Sequence, residues 1–185
     1  MQEIRFHGRG GQGTVVASVI LAKAFFAAGY EVQTFPAFGV ERRGAPVEAY
    51  LRLDTDRIRI RSNIYTPDHV LVQDARLLET VDVTAGLANG GWVLMNSPGV
   101  PADTTAFHDY RLACVDATRI AVDNRLGTKT HPIINTAMIG AFARIFDKPP
   151  IEMVAEAIRG QIDVKTEANV QAAKDAFEAV ILVAP

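Results

Sequence analysis

The sequence has 185 residues, one domain's length at roughly 100–200 residues per domain. Apolar residues make up 49% and charged residues 22%, with a formal net charge of −2, which excludes a disordered chain. A single cysteine, Cys114, excludes an internal disulfide, a four-cysteine zinc site and a cysteine-ligated iron–sulfur cluster held by this chain alone.

The first segment, Ile4-Arg5-Phe6, reads as a strand and ends in Gly8-Arg9-Gly10-Gly11-Gln12-Gly13. From Thr14 the pattern becomes helical, with Val15, Val19, Ala22 and Phe26 on one stripe and Gly29 placed to end the helix. Glu31–Phe35 reads as a second strand. After a loop over Pro36–Pro46, the segments Val47–Leu53 and Arg57–Arg61 read as a hairpin around Asp54-Thr55-Asp56. Its second arm sets Arg57, Arg59 and Arg61 on one face, with Ile58 and Ile60 on the other. His69–Gln73 is a strongly apolar strand, followed by a helical stretch around Thr80–Ala88. Trp92–Asn96 and Leu112–Val115 read as the next two strands, with Leu112–Val115 the last. Helices are expected at Ala117–Leu126, Ile134–Phe146, Ile151–Gly160 and Glu167–Val180. This order predicts one α/β domain over residues 1–185. Its fold is Rossmann-like and doubly wound, a mostly parallel sheet with a β-hairpin insertion and C-terminal helices.

No apolar run of about 18 residues occurs, so no membrane-spanning helix is expected. Met1–Arg5 lead directly into a strand, leaving no room for a secretory signal, and the cytoplasm is the expected compartment. Charge is uneven: residues 1–61 carry nine Lys or Arg against six Asp or Glu. Six of the 19 basic residues fall between Arg42 and Arg61. That cluster is too local for a nucleic-acid surface and suits a ligand phosphate or an acidic partner.

Gly8-x-Gly10-x-x-Gly13 between a strand and a helix permits a tight turn and presents the helix's unpaired N–H groups to a phosphate. An NAD site also needs an acidic residue at the end of the second strand, where Gln33, Thr34 and Phe35 stand. A P-loop needs lysine where Thr14 stands. Phosphate or partner contact therefore remains, beside the plainer reading of a tight turn without a ligand. The loop Phe35–Pro46 carries Glu41, Arg42 and Arg43 and belongs near the carboxyl edge of the sheet, where the arginines could clamp phosphates or carboxylates. A solvated loop is the alternative. The Arg57/Arg59/Arg61 stripe reads as an exposed strand face or as a docking stripe for an acidic subunit. Asn135, before Thr136-Ala137-Met138-Ile139-Gly140, reads as a helix cap or as a functional amide at the carboxyl edge. The four histidines show no metal-like spacing, the serines lie outside any nucleophile elbow, and Cys114 reads as core. No catalytic residue and no metal ligand emerges.

Phe6–Gly13 resembles the opening motif of the gamma subunit, or gamma domain, of 2-oxoacid:ferredoxin oxidoreductases. Phe38–Pro46 resembles that family's second block. Arg61–Tyr65 and Val72–Asp74 are similar to its pyruvate branch. Val115–Ala121 and Asn135–Phe142 extend the resemblance over about residues 3–180. The resemblance implies a complex that converts pyruvate and coenzyme A to acetyl-CoA and carbon dioxide while reducing ferredoxin, reversibly. It implies thiamine diphosphate, magnesium and [4Fe–4S] clusters on alpha, beta and delta subunits, and a gamma part concerned with coenzyme A access and assembly. By this likeness Gly8, Arg9, Gly10, Gly11, Gln12, Gly13, Thr14, Glu41, Arg42, Arg43 and Asn135 become candidate contacts for coenzyme A or neighbouring subunits. The equivalent subunit for another 2-oxoacid and a stand-alone nucleotide-binding module are the alternatives.

Overall fold

The computed structural model describes residues 1–37 and 44–183. Strand β1 (Gln2–Arg9) turns Ile4 and Phe6 to one face and Arg5 and His7 to the other. It pairs antiparallel with β3 (Pro46–Asp54), from Gln2 opposite Leu53 to Arg9 opposite Pro46. It pairs parallel with β4 (His69–Val72) on the other side. The remaining strands are β2 (Glu31–Pro36), β5 (Trp92–Asn96), β6 (Arg111–Val115) and β7 (Ile181–Leu182). All seven form one sheet in the order β2-β3-β1-β4-β5-β6-β7. Only β3 and β7 run against the rest, so the sheet is mostly parallel, as expected of the fold class.

Five helices follow the apolar pattern: α1 (Thr14–Ala27), α2 (Ala117–Asp123), α3 (Asn135–Phe146), α4 (Ile151–Arg159) and α5 (Thr166–Ala179). Their buried residues join Ile4, Phe6, Leu51, Leu71, Leu94 and Val115 in one core on one side of the sheet. Gly140 on α3 lets that layer close: a Cβ there would lie 2.0 Å from the Ala173 carbonyl oxygen of α5. The other side of the sheet carries Val70, Val72, Val93, Met95, Leu112 and Cys114, covered by Leu77, Val83, Leu87 and Phe107. These come from 3-10 turns and irregular chain rather than from α-helices. Among the described residues no helix is long and apolar enough to cross a membrane.

Several expectations change. The hairpin is built from β2 and β3, not from Val47–Leu53 and Arg57–Arg61. β3 is already paired on both edges, and residues 57–61 form no strand. Ile60 is 45% exposed, so its alternation with the arginines reflects no pleat. The helix expected around Thr80–Ala88 is a set of turns. Asp82 Oδ1 accepts from the Thr84 N–H and hydroxyl, competing with helical bonding. The α1 stripe is displaced, because the helix is apolar nearly all round: Ala17, Leu21, Ala24 and Phe25 are buried, whereas Phe26 is 66% exposed. The strand β7, antiparallel to β6, lies beyond the expected last strand.

The α3–α5 crossing gives a direct stability test. Gly140→Ala should cost about 1–3 kcal/mol through overpacking, read as a lower urea midpoint at an unchanged slope. An unchanged midpoint would show that the two helices separate freely.

Candidate functional site

The carboxyl ends of β1, β4 and β5 and the start of α2 surround a cleft of about 610 Å³. Its walls are the turn Arg9–Gln12, Gly44, the segment Gln73–Arg76, Asn96, Thr118 and the loop Lys129–Ile134. β1 sends its chain toward β2 on one side and stands beside β4 on the other. This is the crevice where open α/β sheets bind ligands.

The glycine turn is held by its own atoms. The Arg9 N–H donates to Gln12 Oε1 at 2.8 Å and the Gln12 N–H to the Arg9 carbonyl at 2.9 Å. Gly10 exchanges backbone bonds with Ala45 and Gly44, so the end of the long loop does lie against the turn. Glu41, Arg42 and Arg43 themselves fall outside the described residues. Gly8 is enforced by space: a Cβ would lie 2.0 Å from Thr14 Oγ1 and 2.6 Å from Gln73 Oε1. Gly13 caps α1 at φ 72°, a conformation other residues adopt only with strain. A Cβ there would also lie 2.6 Å from Asn135 Nδ2. The cap has no side-chain hydrogen bond and the first turn of α1 has no acidic residue, so the helix's leading N–H groups keep their anion-binding capacity.

Thr14 is buried and donates its hydroxyl to Gln73 Oε1 at 2.6 Å. Gln73 is 1% exposed, and its Nε2 is the one buried side-chain polar atom without a partner among the described residues. Asn96 Nδ2 donates to the Gln73 carbonyl and to Thr118 Oγ1, tying β4, β5 and α2 together at the cleft floor. Asp74 is the cleft's one carboxylate among the described residues. It accepts from Arg9 Nε at 2.8 Å and lies 3.6 Å from Arg76 Nε. With Lys129 also on the wall, the cleft is cationic.

Asn135 is not a cap. It is the first residue of α3, after Ile134, and is 4% exposed. Its Oδ1 accepts from the Thr136 N–H, while its amide packs on Gly13. The structure thus brings Gly8–Gly13, Thr14 and Asn135 together. Gln73, Asp74, Arg76, Asn96, Thr118 and Lys129 join them without having been singled out from the sequence. The signal was available: Gln73-Asp74 and Asn96 are the first polar residues after apolar runs, where parallel strands expose their carboxyl ends.

The groups shifted by burial lie elsewhere. His7 is pushed down to about 4, chiefly by desolvation. Its Nε2 accepts from Arg5 Nε at 2.9 Å, which requires a neutral ring. His69 is likewise pushed down to about 4 by burial, and its Nδ1 accepts from the Trp92 N–H. Burial raises Cys114 to about 11. Among the described residues no group of three or more His, Cys, Asp or Glu could hold a metal.

The family model described as pyruvate ferredoxin/flavodoxin oxidoreductase matches residues 3–179. The chain belongs to this family. It is 50% identical over 182 residues to the common subunit gamma of the pyruvate/ketoisovalerate oxidoreductases of Pyrococcus abyssi, covering 96% of each chain. It is 48% identical over 159 residues to pyruvate synthase subunit PorC of Methanosarcina barkeri, covering 86% of this chain and 85% of that one. Among solved structures, pyruvate oxidoreductase subunit PORC of Thermotoga maritima superposes with a TM-score of 0.82 at 32% identity, covering 99% of this chain and 98% of that one. The chain is therefore of the gamma-subunit type.

The two neutral histidines set an acid limit on stability. Both folded values lie below the ordinary 6.5. Between pH 6.5 and about 4 the unfolded chain therefore binds protons that the folded chain refuses, and stability falls as pH falls. Thermal unfolding should be flat above about pH 7 and drop steadily toward pH 4, with His69→Gln reducing the slope. Equal midpoints at pH 7.5 and 4.5 would contradict the neutral, buried assignment.

Proposed function

We propose that this chain is the gamma subunit of a pyruvate:ferredoxin oxidoreductase and that its cleft takes coenzyme A. In the complex, pyruvate and coenzyme A give acetyl-CoA and carbon dioxide as ferredoxin is reduced, and the reaction is reversible. Alpha, beta and delta subunits carry thiamine diphosphate, magnesium and the [4Fe–4S] clusters. The gamma subunit binds coenzyme A, gates its access and helps hold the assembly. The reading places the complex in the cytoplasm, in keeping with a single unpaired cysteine.

The observation that carries the coenzyme A assignment is the buried Gln73 amide without a partner, set in the wall of a cationic cleft beside an uncapped helix start. Leaving a buried donor unpaired costs about 1–3 kcal/mol, a penalty that a ligand oxygen would relieve. The fit to coenzyme A follows from its groups. Its diphosphate suits the backbone N–H groups of Gly8–Gly13 and the leading turn of α1. Further phosphate charge suits Arg9, Arg42, Arg43, Arg76 and Lys129. Coenzyme A supplies a thiol as acyl acceptor. The residues of this chain bind and orient that molecule and leave acyl transfer to the sister subunits.

A second reading is favoured by the relatives from Pyrococcus and Thermococcus, named as the gamma subunit common to pyruvate and ketoisovalerate oxidoreductases. A gamma subunit serving two 2-oxoacids fits a chain whose cleft recognises the shared acceptor and not the oxoacid.

The complex purified from native cells through this chain should show pyruvate- and coenzyme A-dependent ferredoxin reduction. No iron–sulfur partner and no such activity would overturn the reading. In the assembled complex, Arg42→Ala combined with Arg43→Ala should raise KM for coenzyme A about tenfold or more at unchanged thiamine loading. An unchanged KM would remove these arginines from the phosphate site.

A further inference from the structure

We infer that residues 57–65 form a docking surface for a carboxylate-rich face of a sister subunit. The inference rests on the reading that this chain works inside a complex, and goes beyond it by naming the surface and the chemistry of its partner.

The first observation is charge without a counter-charge. Arg57, Arg59 and Arg61 are exposed, and no carboxylate among the described residues lies within ion-pair reach of any of them. Among the other exposed arginines, Arg111, Arg125 and Arg144 also lack a carboxylate partner among the described residues but stand singly in the sequence, whereas three have one. Arg119 faces Asp123, Arg159 bridges Glu156 and Glu167, and Arg76 approaches Asp74. A chain with 21 acidic residues thus leaves three successive alternate arginines unpaired. Mutual repulsion of these cations has no relief within the described structure, and an acidic partner supplies it.

The second observation is apolar. Ile60 is 45% exposed and Tyr65 72% exposed, in the same short segment as the arginines. Arginine and tyrosine are the residue types enriched in protein interfaces and their hot spots. Together they match the anchors and charged rim of a docking patch.

The third observation is that the segment is anchored at both ends. On one side Asp54 closes β3 and pairs with the Met1 amino group at 3.3 Å. On the other, fully buried Arg52 donates to the carbonyls of Ser62 at 2.8 Å and Asn63 at 3.3 Å, and Ile64 is buried. These contacts hold the two ends of the segment, and the three arginines and Tyr65 stay exposed between and beside them. A surface fixed before binding loses less freedom on docking. A nucleic-acid partner is disfavoured by the net charge of −2.

The test uses the complex assembled from full-length subunits. Arg57→Ser, Arg59→Ser and Arg61→Ser combined touch no folding contact and should leave the circular dichroism and melting midpoint of the chain unchanged. Affinity for the sister subunits should fall roughly tenfold or more, and the salt dependence of binding should flatten. An Arg59→Lys variant treated with a zero-length carbodiimide should crosslink to an Asp or Glu of a sister subunit, located by mass spectrometry. Three results would overturn the inference: wild-type affinity with unchanged salt dependence in the triple variant, a crosslink to a second copy of this chain, or no crosslink in an assembled complex. If the unmodified chain assembles with no sister subunit, the proposed function fails first, and that outcome is read from the wild type alone.

Discussion

The carboxyl edge of the sheet depends on how closely the end of β1 approaches the start of α1 and the end of β4. At Gly8 a side chain would collide with both Thr14 and Gln73, so the Thr14–Gln73 bond exists only because position 8 is bare. That bond joins the first strand, the first helix and the neighbouring parallel strand at one point. Gly13 repeats the device one helical cap later, where Asn135 occupies the space a Cβ would need. Two absent side chains thus let three elements meet and the start of α3 pack against them, and the cleft is the space that remains beside them. A ligand at this edge meets backbone N–H groups directly, with no side chain interposed.

The sheet's second face shows a different solution to burial. Under β5 and β6 it is apolar, closed by Leu77, Val83 and Phe107. Under β1 and β3 it is polar. Arg52 bonds Glu3, Gln33 and two backbone carbonyls. Arg5 bonds His7 and the carbonyls of Val83 and Ala85. Tyr50 donates to Glu48 at 2.6 Å, and burial together with that bond raises its pKa. Removing one partner from such a network strands the other, at a cost of about 3–5 kcal/mol for a buried charge. The return is specificity of position. Carbonyls are directional acceptors, so Arg5 and Arg52 fix where residues 62–63 and 83–85 lie. An apolar face would tolerate sliding of these irregular segments, and with it displacement of the basic surface that follows β3.

Much of this was legible in the sequence, and the misses have physical causes. Strands buried on both faces were read from their apolar runs, Val70–Val72 and Val93–Met95, because both faces of the sheet there are covered by apolar side chains. In α4 and α5 the buried residues recur at helical spacing, whereas α3 is buried almost throughout and was legible by its length and apolar character. The hairpin was misplaced because alternation over Arg57–Arg61 imitates a pleat. Nothing local reveals that β3 has already paired with β1 and β2 across the long loop. The turns over Thr80–Ala88 were hidden because a competing side-chain bond, Asp82 to Thr84, leaves composition unchanged. At the site, the glycines declared themselves by spacing, whereas Gln73 did not. Its importance comes from lacking a partner, a property of the packed structure and not of the residue.

The distribution of perturbed groups argues for what the cleft does. Shifted pKa values gather where enzymes move protons. Here the shifted groups His7, His69, Tyr50 and Cys114 are held within or against the sheet, and none of them lines the cleft. The cleft's one carboxylate among the described residues, Asp74, is engaged by Arg9 and Arg76 and also accepts the Arg76 N–H. Among the described residues its remaining polar wall consists of amides, hydroxyls, cations and the His131 imidazole, groups that hold negative charge and fix orientation. A site of this composition lowers the cost of positioning an anionic ligand. This composition is in keeping with the division of labour proposed for the complex, in which the gamma subunit supplies the electrostatics of binding and a docked neighbour reaches the ligand's far end.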